Sequence, residues 1–388
     1  MIVMDLKLDN ICAFNNFHIN FSYPKKIVGS NIECEYLKDR DKFRYKKVNI
    51  IMGPNASGKT TLGKAIMGIF NSISKKDPSQ LIELVSDKTR KATIEIEFIL
   101  ESKEMYRVSF DLHPSEINKN EDKNEKNMEI YVSVKKTTIN KTDTYEKCVK
   151  KLDKISAAFT ADVRGELKKV ETFGWYFLYP DKREYHMTSS DSMYFLSILE
   201  AVFKTLDNSV ESVKPITISE EKDERAYAIR FNNHDKTVLI HDGEITHEEV
   251  LSSGTKAGLH IADLLTSMKE HRNGFYYCDE KFSFIQTDIE KAILSIMISS
   301  LMDGEQLFFT THNSDILDMN LPKHSYIFLK KDSANPDEPI QYVTASHYLK
   351  KQSDSLRNAV ENDLFSCSPK LDELYKLNMV KMGDFKNE

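Results

Sequence analysis

One segment restricts the fold of this chain more than any other: Gly53-Pro54-Asn55-Ala56-Ser57-Gly58-Lys59-Thr60, with Thr61 following. It has the spacing of a P-loop, and its flanks suit that reading. Before it, Val48-Asn49-Ile50-Ile51-Met52 is short and nearly all apolar, as a strand buried on both faces must be. After it, Leu62, Ile66, Ile69 and Phe70 recur at helical spacing. A strand, a glycine-rich turn and a helix point successive backbone N–H groups at one place, and the helix N-terminus adds positive partial charge there. Lys59 would bridge the β- and γ-phosphates of ATP, and the Thr60 hydroxyl would ligate Mg²⁺.

Composition removes several other classes. Across 388 residues, 54 Lys+Arg stand against 60 Asp+Glu, a net charge of −6, so no global basic field indicates nucleic acid; only a local patch is left open. A hydrophobic share of 40% supports a sizeable core. The five cysteines, Cys12, Cys34, Cys148, Cys278 and Cys367, are scattered and form no CxxC pair, which argues for a reducing compartment and against a disulfide framework or structural zinc. The opening MIVMDLKLDN is charged within five residues and no apolar run reaches membrane-span length, so the expected location is the cytoplasm, away from membranes.

Along the chain, Met4-Asp5-Leu6-Lys7-Leu8 and Phe17, Ile19, Phe21 alternate like strands. Ile94, Ile96 and Phe98, then Tyr106, Val108, Phe110 and Leu112, predict a hairpin across a polar turn at Glu101–Glu104. Glu35–Lys47 and His113–Asn127 read as charged loops, and Met128–Val134 as a further strand. Val149, Leu152, Ile155, Phe159, Val163, Leu167 and Val170 step by three or four and predict one amphipathic helix; Ser189–Leu206 reads as another. From Ser252 onward helices at Gly258–Met268 and Ile289–Leu301 alternate with strands at Phe275–Cys278, Leu307–Thr310 and Tyr326–Leu329, the pattern of a parallel sheet.

Phe275-Tyr276-Tyr277-Cys278-Asp279-Glu280 is a buried strand ending in two carboxylates. Beside a P-loop, Asp279 is placed to hold Mg²⁺ and Glu280 to act as general base on an attacking water. Leu251-Ser252-Ser253-Gly254-Thr255-Lys256 precedes a helix, where Ser252 alone reads as an ordinary N-cap. Phe308-Phe309-Thr310-Thr311-His312-Asn313 ends a strand. In this order the four elements resemble ABC-type ATPases of the SMC/RecF branch, among them OLD-like and other phage-defence ATPases. The resemblance covers both ends of the chain and leaves about 113 to 247 unmatched.

The resemblance implies that Ser252 and Gly254 bind the γ-phosphate held by a second subunit, and that His312 is the switch histidine touching the γ-phosphate in its own subunit. Catalysis would fall to Glu280, His312 and Lys59; nucleotide binding to Gly53–Thr61, Ser252 and Gly254; Mg²⁺ to Thr60 and Asp279. Two departures stand out. Ile285-Gln286-Thr287 occupies the place of the family's Leu-His-Pro, and no Q-loop glutamine can be placed, Gln80 being a weak candidate. Asp39-Arg40-Asp41 reads as solvent-facing, and the stretch after His312 is short for a fused nuclease.

The expected architecture is therefore α/β: a mixed sheet with a parallel core flanked by helices, an antiparallel β-subdomain and a helical insertion. It divides into 1–112 with the P-loop, an insertion at 113–247, and 248–388 with the signature, the Asp-Glu strand and the histidine. The expected function is a slow or partner-regulated ATPase that associates with itself through ATP and controls a separate effector, a nuclease or toxin, in anti-phage defence. Two rival functions are a RecF-like repair ATPase on duplex DNA, with Lys150-Lys151 and Lys168-Lys169 as its basic patches, and an ATP-dependent scaffold or sensor with little turnover.

Overall fold

The computed structural model describes residues 1–27, 29–115, 128–180, 183–185, 193–219, 224–232, 234–241, 244–246, 251–332, 334–351, 354–367, 371 and 375. A seven-stranded sheet forms its centre. Its strands run in the order Arg183–Tyr185, Trp175–Leu178, Phe275–Asp279, Gln306–Thr310, Val48–Met52, Tyr326–Lys331 and Ile340–Thr344. The five inner strands are parallel and each edge is closed by an antiparallel neighbour. Val48–Met52, Phe275–Asp279 and Gln306–Thr310 are buried at every position, which is why they read as nearly all-apolar runs, with Asn49, Asp279, Gln306 and Thr310 the polar members.

A second, antiparallel sheet has the order Phe17–Asn20, Ile2–Asp9, Ala92–Ile99, Glu104–Pro114 and Met128–Thr138. The helix that follows the P-loop, Lys59–Lys75, lies between the two sheets: Leu62, Ile66, Ile69 and Phe70 share one core with Ile94, Ile96 and Phe98 on one side and Phe275, Tyr277 and Phe308 on the other. The opposite face of the central sheet presents Ile50, Tyr276, Cys278 and Phe309 to a second core. That core is closed by the helices Phe195–Leu206, Ser253–Lys269 and Thr287–Ser300 and by the sheet of Val210–Ser219, Glu224–Phe231, His234–His241 and Glu244–Ile245. A chain of alternating large side chains thus feeds two cores from one sheet.

Two expectations, the single helix and the charged loop at Glu35–Lys47, need correction. The helix expected across Val149–Val170 is two helices, Tyr145–Asp153 and Val163–Leu167. Between them Thr160 exchanges both backbone hydrogen bonds with Val132 at 3.0 Å, and Asp162 caps the second helix by accepting from Gly165 N. Cap chemistry and a strand edge outweigh the 3.6-residue period there. The charged stretch Glu35–Lys47 contains a small hairpin, Tyr36–Leu37 against Arg40–Arg44, with Asp39 and Asp41 exposed on it. The span 113–247 is distributed over three sheets: Met128–Thr138 extends the antiparallel one, and Trp175–Leu178 pairs in parallel with the Asp-Glu strand. Most of the loop expected at His113–Asn127, and the start of the helix expected from Ser189, lie outside the described residues.

Candidate nucleotide site

The P-loop needs its glycines for two different reasons. Gly53 has φ +151° and Gly58 φ +100°, and a Cβ on Gly53 would collide with the Leu329 carbonyl oxygen. A Cβ on Gly58 would lie 2.7 Å from Ile340 Cδ1. Ala56 also has positive φ, 61°, so three positions of the loop take the left-handed or otherwise strained backbone that a tight turn of this kind requires. Lys59, 3% exposed, donates to the carbonyls of Gly53 at 2.9 Å and Pro54 at 3.1 Å, folding over the turn it follows. The Ser57 hydroxyl is buried with no hydrogen-bond partner. An orphaned, buried donor in a loop of this form suits a phosphate oxygen. Asn55 is exposed at the tip and Thr61 half-buried on the first helical turn.

The two carboxylates meet this loop from the neighbouring strands. In the parallel register Asp279 lies opposite Thr310, and Thr310 opposite Ile51, so three strand ends converge. Asp279 accepts 2.6 Å hydrogen bonds from the hydroxyls of both Thr60 and Thr310. Burial pushes its pKa up, and the two hydroxyls oppose that shift. A hydroxyl and a carboxylate brought together beside the phosphate loop fit a Mg²⁺ that is otherwise held by water and phosphate oxygens. No cluster of three or more His, Cys, Asp or Glu suited to a metal occurs among the described residues.

Glu280 turns away from the strand with φ +44°. Its N–H donates to Thr310, to the carbonyl at 3.3 Å and to the hydroxyl at 3.1 Å. Its carboxylate lies 2.8 Å from His312 Nε2 and 3.3 Å from Lys59 Nζ. The His312 hydrogen bond, and then the Lys59 charge, hold its pKa down against partial burial. Burial lowers the Lys59 pKa, with Glu280 opposing. A carboxylate that is ionised, 24% exposed and fixed from two sides can accept a proton from a water at the loop.

Sequence reasoning missed two residues that build this arrangement. Thr310 holds Asp279 and Glu280 together, and only the strand pairing reveals it. Glu290, on the helix Thr287–Ser300, accepts from the Thr311 hydroxyl at 2.8 Å and the Asn313 amide at 2.7 Å, bracing the loop that carries His312. Ser252 caps the helix Ser253–Lys269, accepting from Thr255 N at 3.1 Å, and its hydroxyl makes no hydrogen bond to the P-loop. A Cβ on Gly254 would be 3.0 Å from the Phe284 carbonyl oxygen, so this turn packs on the segment after Glu280, where Phe284 is 71% exposed. Gln80 is exposed on the short helix Ser79–Glu83, which packs near Gly68, well along the P-loop helix from Lys59; it reaches none of the site residues. Of the basic pairs, Lys151 is engaged by Asp143 and Lys169 by Glu166 at 2.6 Å.

A P-loop at the end of a parallel strand, with an Asp-Glu strand two positions away in the sheet, defines the class: an α/β P-loop nucleotide-binding fold. An AAA domain model matches residues 5–170. Among solved structures, an SMC head bound to the C-terminal winged-helix domain of ScpA is similar at 15% identity and TM-score 0.49, covering 90% of this chain and 100% of that one. An SMC head from Pyrococcus furiosus with an extended coiled coil is similar at 11% identity and TM-score 0.49, covering 90% and 98%. The recombination mediator RecF with ATPγS is similar at 13% identity and TM-score 0.39, covering 88% and 98%. No curated protein matches the chain in sequence.

Proposed function

We propose that this chain is an ATP-hydrolysing switch subunit that associates with a second copy of itself through ATP. The observation that carries the reading is the Glu280 carboxylate held between Lys59 and His312 beside the P-loop. A P-loop that served only as a structural turn would have no use for an ionised base at that point. Gly53–Thr61 would take the phosphates, and Lys59 would neutralise the β/γ position. Mg²⁺, held by Thr60 and Asp279, would supply further charge neutralisation there. Glu280 would receive the proton of the attacking water, with His312 steering it.

Ser252 and Gly254, at a helix start that makes no hydrogen bond to its own P-loop, would complete the site of the partner copy, so ATP acts as a shared ligand that favours the associated state. Hydrolysis then releases it. By family resemblance the switch would govern a separate nuclease or toxin in anti-phage defence; loss of plaque protection on deleting this chain from its host, with protection kept by an unrelated control deletion, is the test of that setting.

Glu280→Gln tests the chemistry. It keeps shape and removes the base, so turnover should fall about 10²–10⁴-fold while ATP still binds. Light scattering with ATP should then show accumulated dimer. Turnover at the wild-type rate would overturn the general-base role; loss of ATP binding as well would mean that Glu280 is structural.

A further inference from the structure

Lys46 stands just before the strand Val48–Met52, at the end opposite the P-loop; six residues of extended chain put about 20 Å between the two ends. There a cavity of about 500 Å³ opens, with Ser22, Lys25, Lys46, Thr344, His347 and Lys350 on its wall. Lys46 is 5% exposed, yet its ammonium has only two long hydrogen bonds, to Asn20 O at 3.3 Å and Thr344 Oγ1 at 3.4 Å. Both partners line the same cavity. No carboxylate among the described residues pairs with it. The nearby acids are engaged elsewhere: Asp5 by His18 and Asn20, both at 2.7 Å, and Glu35 by His324 at 2.6 Å. Burial alone lowers its pKa, to about 8.

A buried cation without a counter-ion is costly, and the cost falls when an anion enters. Lys25 and Lys350 lie exposed on the same wall, and neither forms an ion pair with a described residue. Among the described residues, Lys350 Nζ donates only to the Ser346 carbonyl, at 3.1 Å. Three ammonium groups facing one cavity suit a dianion better than a singly charged group.

We propose that this cavity binds a small phosphomonoester, its phosphate seated on Lys46 with Lys25 and Lys350 at the mouth and the Ser22 and Thr344 hydroxyls as further partners. The phosphate of a monoester carries close to two charges at neutral pH, whereas a diester linkage, as in a nucleic-acid backbone, carries one.

The test uses the full chain carrying Lys59→Ala, which removes the phosphate-binding lysine of the P-loop. Equilibrium dialysis with radiolabelled inorganic phosphate should show saturable binding to one site, displaced by glycerol 3-phosphate and not by dimethyl phosphate. Adding Lys46→Met should weaken it by about ten-fold or more, as the loss of a charged hydrogen bond does. Lys350→Ser, on the exposed rim, should weaken it less, and it decides the matter should the Lys46 variant fail to fold. Absence of saturable binding in the Lys59→Ala chain overturns the proposal. So does binding indifferent to both lysines, or displacement by dimethyl phosphate as good as by glycerol 3-phosphate.

Discussion

Thr310 shows how much one side chain decides at the site. Its hydroxyl donates to Asp279 and accepts from the backbone of Glu280, so one residue sets both carboxylates. Thr310→Val keeps the shape and removes both bonds. Leaving buried Asp279 short of a donor should cost about 1–3 kcal/mol, read as a lower denaturation midpoint, and should slow ATP turnover. A variant that unfolds and hydrolyses like the wild type would remove Thr310 from the account. Lys46 gives a second residue-scale outcome, with a sign. Its amine titrates near 8 when folded, against 10.5 otherwise, so between those values the unfolded chain binds more protons and stability rises with pH. The gain across that interval is at most about 3 kcal/mol. Lys25, Lys350, His347, Tyr23 and Tyr342 line the same cavity, the two tyrosines with pKa values raised by burial, so the measure is the difference between wild type and Lys46→Met. From pH 8 to 10.5 the wild type should steadily gain stability relative to Lys46→Met; a difference that does not change with pH would mean Lys46 keeps its ordinary pKa.

Among the elements, the helix Ser253–Lys269 carries two roles at one residue. As a cap, Ser252 satisfies Thr255 N; as a signature residue it would face the partner's γ-phosphate. Ser252→Asp separates them, because Asp caps as well as Ser but sets a negative charge against phosphate. It should melt like the wild type and fail to dimerise with ATP. Ser252→Ala should lose about 1 kcal/mol of stability through the lost cap. If Ser252→Asp still dimerises, the residue is a cap and nothing more. The P-loop helix has its own constraint: a Cβ on Gly63 would lie 2.6 Å from the Tyr277 ring, while the Tyr277 hydroxyl donates to Lys59 O at 2.7 Å. The glycine lets the helix sit close enough to the Asp-Glu strand for Thr60 to reach Asp279.

At the scale of the whole molecule, that helix is the common member of both sheets' shared core, so nucleotide binding and global stability are linked. Saturating ATP with the Glu280→Gln chain should raise the melting temperature of a single cooperative transition, by the equivalent of about 2.7 kcal/mol at a hundred times the dissociation constant. Calorimetry that showed two transitions, with only one moving, would mean that the antiparallel sheet unfolds independently of the site.

Much of this was legible in the residues themselves. Val48–Phe70 read as strand, loop and helix because burial on both faces, glycine conformation and helical periodicity are local properties. Asp279 and Glu280 were legible because two adjacent carboxylates close an otherwise apolar strand, Asp279 still buried as its last residue. The amphipathic period alone misled across Val149–Val170, where the Asp162 cap and the Thr160 bridge to Val132 break the helix. Other features depended on pairing between distant segments: Thr310 opposite Asp279, Glu290 beneath the His312 loop, Trp175–Leu178 beside the Asp-Glu strand, and the unpaired Lys46 in its cavity. Sheet order and register place these groups within a hydrogen bond of one another, or leave a charge without one. Neither order nor register is a property of any short stretch of chain, so the tertiary structure alone decided them.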